Sequence, residues 1–337
     1  MSTVFAGPAA RARLGTTTPV TGLTFEDADL SGLALAGRDL GGATFLRCRF
    51  TAVAASGLQL AASTCIECDF TGAQLTQAVL DRATLHACLL TRCDLSGTSL
   101  VGTLLVETVW QTTALRGATL TGVSLDGVDL DLLDLREAKL SGCSLVGATA
   151  SRLTLPRASL VRCNFQSAQF MQADFSGADL SGSSFNLARV PGGRFDGALM
   201  TGVKALRGDF AGAGFSGATL ARAAFTEAKL MQARCSQVVA PQSQWQGCDA
   251  SGAVFLRADL RQSLWQHAQV PQADFGGANL SGTILHGLQA TGARFDGADL
   301  TGAKRDDPAL LAAERWRPRR SSEPPPLVPL NPPVTKG

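Results

Sequence analysis

From residue 25 to residue 300, nearly every fifth residue is large and apolar. The run opens with Phe25, Leu30, Leu35, Leu40, Phe45 and Phe50, and closes with Phe275, Leu280, Leu285, Ala290, Phe295 and Leu300. Its 56 positions hold 27 Leu and 15 Phe, and of the 16 Phe in the chain only Phe5 lies outside it, so the spacing is no accident. Two residues before each of these positions the chain is small, as at Ala28, Ala43, Ala73, Ala78, Ala173, Ala178, Ala273, Ala278 and Ala298. Ala fills 26 of those 56 sites. In extended backbone, residues two apart point the same way. Each five-residue unit therefore offers one large and one small inward side chain. A unit that short cannot bury itself and must stack on its neighbours, which excludes a conventional globular domain.

Around this beat, Asp or Asn often precedes the large residue and Ser-Gly often follows, as in Asp174-Phe175-Ser176-Gly177 and Asn279-Leu280-Ser281-Gly282. The pattern resembles the pentapeptide-repeat family, A-[DN]-[LF]-x-x. Ala173 to Gly177 and Ala278 to Gly282 match it in full, and the likeness covers roughly 276 of 337 residues. The resemblance implies an all-β fold: a right-handed quadrilateral parallel β-helix with four pentapeptides per coil. Positions 20 apart should then stack. One such column runs Leu40, Leu60, Leu80, Leu100, Leu120, Leu140, Leu160 and Leu180; another runs Phe175, Phe195, Phe215, Cys235, Phe255, Phe275 and Phe295. About 14 coils at ~4.8 Å give a rod of about 67 Å.

Four segments are expected. Residues 1–20 form a loose, low-complexity start, and residues 21–303 form the solenoid. Residues 304–317 hold a C-terminal capping helix, with Asp307-Pro308 as N-cap and first residue and Ala309, Ala312, Ala313 and Trp316 on one face. Residues 318–337 form a disordered tail, because Pro at that density builds neither core nor ladder. Within it, Pro324, Pro325, Pro326, Leu327, Pro329 and Leu330 form a candidate polyproline docking peptide.

Catalytic chemistry finds little support. All nine Cys fall on inward positions, including the Cys65-x-x-Cys68 pair, and read as buried structural thiols in a reducing compartment. Cys48, Cys68 and Cys88 share a column, where stacked Cβ atoms lie ~4.8 Å apart, too far for a disulfide. The three His form no cluster with Cys, and the glycines follow the five-residue beat rather than a phosphate loop. No metal or cofactor is expected, and no enzyme. Residues 1–22 lack an apolar secretory core and no run is long enough to span a membrane, so a cytoplasmic protein is expected, with signal-independent export left open.

Function must then sit on a side of the rod, at an end or in the tail. The side centred on Phe25, Phe45, Cys65, Leu85 and Leu105 presents Leu46, Ile66, Leu104, Val106, Val146, Leu206, Leu264 and Ile284, against only Glu26, Asp126 and Lys204 as charges. The side centred on Leu35 through Phe295 carries eleven charges. The apolar side is the candidate interaction face, for a protein partner of unknown identity or for a second copy in a homodimer. The expected function is a protein-interaction scaffold or adaptor. Two alternatives remain: an effector or carrier beside a secretion system, and, from the family resemblance, a DNA-mimic that binds gyrase. The second needs a strongly acidic surface, whereas residues 25–300 hold 21 Lys and Arg against 24 Asp and Glu. No side is basic enough for direct nucleic-acid binding.

Overall fold

The structure, a computed structural model, describes residues 3–315. It divides into two units, Met1–Arg305 and Asp306–Gly337.

The first unit is a parallel β-solenoid. Backbone bridges join residues 20 apart, from Asp29↔Arg49 to Ile284↔Lys304. On one side the bridges lengthen into a six-stranded parallel sheet: β1 (Val4–Ala6), β2 (Thr24–Glu26), β3 (Thr44–Leu46), β4 (Thr64–Ile66), β5 (Thr84–His86) and β6 (Leu104–Val106), in that order. The middle residue of β2 to β5 points inward and is buried, while its flanks face out. Like side chains stack as the columns require. Phe175, Phe195 and Phe215 lie 5.3 and 5.0 Å apart, and Phe255, Phe275 and Phe295 lie 5.0 Å apart, all nearly parallel.

The polar part of the repeat has a mechanical role. The outward Asp or Asn accepts a hydrogen bond from the backbone N–H two residues on and so holds the corner: Ser176 N to Asp174 Oδ1 is 2.9 Å, and Ser281 N to Asn279 Oδ1 is 3.0 Å. The next residue takes a left-handed conformation. Glycine does this freely at Gly177 (φ 66) and Gly282 (φ 67), but Arg157 (φ 57) and Gln262 (φ 58) adopt it too. These long side chains lie over the glycine of the following coil: a methyl group added at Gly177 would sit 3.4 Å from Arg157 Cγ.

Two large residues are held differently. Trp245 and Trp265 stack at 5.1 Å, and each indole Nε1–H donates to the Ser two residues earlier, Ser243 at 2.6 Å and Ser263 at 2.8 Å. Both Ser occupy the small inward position, so the pairing reads directly from Ser-x-Trp.

The N-terminal segment departs from the expectation of a loose start. β1 pairs with β2 in register, Phe5 on Phe25, and helix α1 (Gly7–Leu14) follows, with Ala10 and Leu14 fully buried. Phe5, Ala10 and Val20 continue the five-residue phase, although α1 replaces part of a coil. Arg11 ties α1 down through Asp29 O at 2.8 Å and Ser31 O at 3.0 Å. Residues 3–20 thus form an ordered cap over the first coil.

In the second unit, α2 spans Pro308–Arg315. Asp307 Oδ1 accepts from Ala309 N at 2.9 Å and Leu310 N at 3.2 Å, as an N-cap should. Trp316 and the candidate docking tail, Pro324, Pro325, Pro326, Leu327, Pro329 and Leu330, lie outside the described residues.

Candidate interaction face

The eight apolar residues of the candidate face occupy equivalent outward positions on one side of the solenoid, but they form patches rather than a stripe. Leu46 and Ile66 are paired across β3 and β4 and half-buried; Leu264 and Ile284 are bridged and half-buried. Val146 and Leu206 stand among Ser144, Asn164, Asn186 and Lys204, at corners held by a neighbouring carboxylate or amide. Val146 N donates to Asp126 Oδ1 at 2.8 Å and Leu206 N to Asn186 Oδ1 at 3.0 Å. Only β6 exposes large apolar side chains as a group: Leu104 is 59% and Val106 43% exposed, with Val109 at 46% just beyond.

β6 is also where the ladder opens. In a closed coil pair, Ala87 N donates to Val106 O at 2.8 Å and Val109 N to Cys88 O at 2.9 Å. Toward the next coil, no backbone hydrogen bond joins residues 104–112 to residues 124–131. Leu105, Thr108 and Val128, at inward positions, are accordingly only half-buried. Trp110 fills this column between Leu90 and Leu130, and its indole lacks the Ser partner that Trp245 and Trp265 possess. A short 3-10 turn at Leu130–Leu132 interrupts the opposing coil. The coil across the opening carries Asp126, opposite Val106 of β6, and Asp129 and Asp131, opposite Val109 and Gln111. Hydrogen bonds from Ser151 hold the Asp131 carboxyl below its usual range.

A second opening follows one coil later and two sides round. No backbone hydrogen bond joins residues 133–138 to residues 153–159, although Leu140 N still reaches Ser159 O at 3.2 Å. The small column supplies the cause. It holds Leu133 and Leu153 in successive coils, whereas Cys93, Thr113 and Ala173 occupy its neighbouring coils. Two stacked leucines in space sized for Ala or Thr overfill the interior and part the coils.

Elsewhere charges pair along the ladder. Arg47 binds Asp27 at 2.8 Å, Arg194 binds Asp174 at 3.3 Å, and Arg207 binds Glu227 at 2.6 Å, each one coil apart. Such exposed pairs add little stability, but they break up any continuous acidic surface.

The nine Cys are free and buried. Burial pushes the thiols of Cys93 and Cys163 up to about 12 and that of Cys143 up to about 11. Among the described residues, no helix is long and apolar enough to cross a membrane.

The pentapeptide-repeats family model matches in eight copies, at residues 68–105, 113–149, 151–189, 228–264 and 271–304, more than half of the chain. The chain belongs to the pentapeptide-repeat family. The eight copies are fewer than the about 14 coils expected. Up to residue 304, the matched stretches leave out residues 1–67, 106–112, 150, 190–227 and 265–270.

Among solved structures, the chain is similar to HetL of Nostoc, a pentapeptide repeat protein involved in heterocyst differentiation regulation (24% identity, 83% of this chain and 86% of that one, TM-score 0.21). It is also similar to Rfr23 of Cyanothece (15%, 49% and 88%, TM-score 0.19) and to QnrB1, a plasmid-mediated fluoroquinolone resistance protein (18%, 87% and 95%, TM-score 0.18). At such scores these likenesses say nothing about partners. No curated protein matches the chain.

Proposed function

We propose that this pentapeptide-repeat protein is a non-enzymatic interaction scaffold that docks a protein partner on the apolar side of its solenoid, centred on β6. One observation carries the reading: β6 presents Leu104 and Val106 to solvent while its backbone edge has no partner on the following coil. An apolar, unpaired strand edge invites association unless something covers it. The charge-paired, mixed surface favours this over a DNA-mimic, which needs continuous negative charge.

The test is a pull-down from native lysate with wild-type protein, a Leu104→Glu/Val106→Glu variant, and a Leu256→Glu control two sides round. Loss of the captured protein in the first variant alone supports the reading. Equal capture by all three removes β6 from it, and gyrase subunits in the captured fraction would point instead to a topoisomerase binder. Ile66→Glu is a poorer probe, because Ile66 is half-buried and the charge would also test folding.

A further inference from the structure

The second opening is a cleft of about 640 Å³, within the size range of small-molecule sites. One lip is Arg136, Glu137, Ala138 and Lys139; the other runs from Thr154 to Ser159. Three features of this cleft point to one ligand chemistry.

The first is a set of unused donors. The backbone N–H groups of Leu135, Glu137, Thr154 and Ser159 make no hydrogen bond among the described residues. The equivalent groups one coil later, at Leu155, Arg157, Asp174 and Asp179, donate at 2.8 to 3.0 Å. Lone donors beside a cleft need water or a ligand acceptor.

The second is charge. Arg136 is held by Asp134, with Nε to Oδ1 at 2.8 Å, and Glu137 is held by Arg116 at 2.7 Å, so these two pairs cancel. Lys139 and Arg157 have no carboxylate within ion-pair distance among the described residues. Both residues line the cleft, so its rim keeps two uncompensated cations, with the stem of Arg157 lying toward Gly177.

The third is the lining. Leu155, Pro156, Ala138 and Ala158 give the cleft an apolar wall. Ala158 sits at an inward position yet is only half-buried, because the coils are parted there.

From these features we infer that the cleft between the coils at 133–139 and 153–159 binds a small amphipathic organic anion. Its charged group lies against Lys139, Arg157 and the open backbone N–H groups, and its apolar body lies against Leu155, Pro156 and Ala158. The site is separate from the β6 face, and failure of protein docking at β6 leaves it untouched.

The probe is 1-anilinonaphthalene-8-sulfonate, titrated by fluorescence into the full-length protein, with its uncharged parent N-phenyl-1-naphthylamine alongside. Saturable binding at one site per chain is expected. Lys139→Glu/Arg157→Glu, with both changes on the exposed rim, should raise Kd at least about tenfold while leaving the circular dichroism spectrum unchanged. Ala158→Leu, which fills the wall without altering charge, should weaken both dyes. Bound anion should slow amide exchange at residues 135–137 and 154–159. The inference is overturned if binding does not saturate, if the charge variant binds as tightly as wild type, or if the slowed amides lie along β6. It is equally overturned if amides 135, 137, 154 and 159 are already as protected in free protein as those at 155, 157, 174 and 179, since the cleft would then be closed.

Discussion

Replacing Ser243 with Ala removes one oxygen from a fully buried site and tests how the solenoid accommodates tryptophan. Ser243 and Trp245 are both 0% exposed, and the indole N–H donates to the Ser hydroxyl at 2.6 Å. The hydroxyl in turn donates to Ala240 O at 2.6 Å. Alanine is the commonest residue at this inward position, so shape is not at issue; the cost is an indole N–H left without an acceptor in an apolar interior. Such a stranded donor costs about 1–3 kcal/mol. Removing both partners isolates the effect: in a Trp245→Phe background, Ser243→Ala should cost about 1 kcal/mol less, because no N–H remains to strand. Urea unfolding followed by far-ultraviolet circular dichroism reads all four proteins without relying on the tryptophan that is being changed. Ser263 and Trp265 form the same pair one coil on, and the stacked indoles at 5.1 Å should make the two serine variants non-additive. A Ser243→Ala protein within about 0.5 kcal/mol of wild type would refute the reasoning. So would an equal penalty in both backgrounds, which would place the cost in the hydroxyl's own bond to Ala240.

Two further outcomes follow from the interior. Gly208→Ala should destabilise by about 1–3 kcal/mol despite the prevalence of Ala at equivalent sites, because the new Cβ would lie 2.5 Å from Phe210 Cε2; a neutral urea midpoint would show that the Phe210 ring can move aside. Stability should fall between about pH 9 and pH 12: the folded thiols of Cys93, Cys143 and Cys163 titrate well above their value in the unfolded chain, so the stability they confer is complete below pH 9 and is lost as pH rises and unfolded thiols ionise. Urea midpoints at several alkaline pH values check this, and a Cys93→Ala/Cys163→Ala variant should show a shallower decline.

The architecture was legible because a solenoid writes its interior into the sequence once per side. Phe175, Phe195 and Phe215 sit 20 residues apart and stack at 5.3 and 5.0 Å for that reason alone. Periodicity also gives the direction in which every residue points, which placed all nine Cys inside and all eight candidate face residues outside. It gives less about how far an outward side chain protrudes: Leu46 and Ile66 are shielded by their partners across the ladder, whereas Leu104 and Val106 lose that shielding where the next coil parts. The N-terminal cap was readable in part. Phe5, Ala10 and Val20 keep the phase, but α1 lacks the clean helical pattern that would have marked it, carrying Arg11 and Arg13 between its buried residues.

The two openings show where a repeat protein can depart from its own rule. The five-residue phase never slips, so no insertion marks residues 104–159. The departure is one of volume. Leu133 and Leu153 are the only leucines that follow one another in a small column, and Trp110 stands without the Ser that the other buried tryptophans use. The two leucines leave the spacing intact and make the coil too full to close on its neighbour, whereas at Trp110 the ladder opens beside an indole that has no Ser partner. In a structure whose coils contact only adjacent coils, such a local excess cannot be relieved at a distance. It appears where it is made, as a cleft rimmed by Lys139 and Arg157. A regular solenoid offers a partner the same surface at every step. Coils that part create positions that differ from the rest, and these give a partner something specific to recognise.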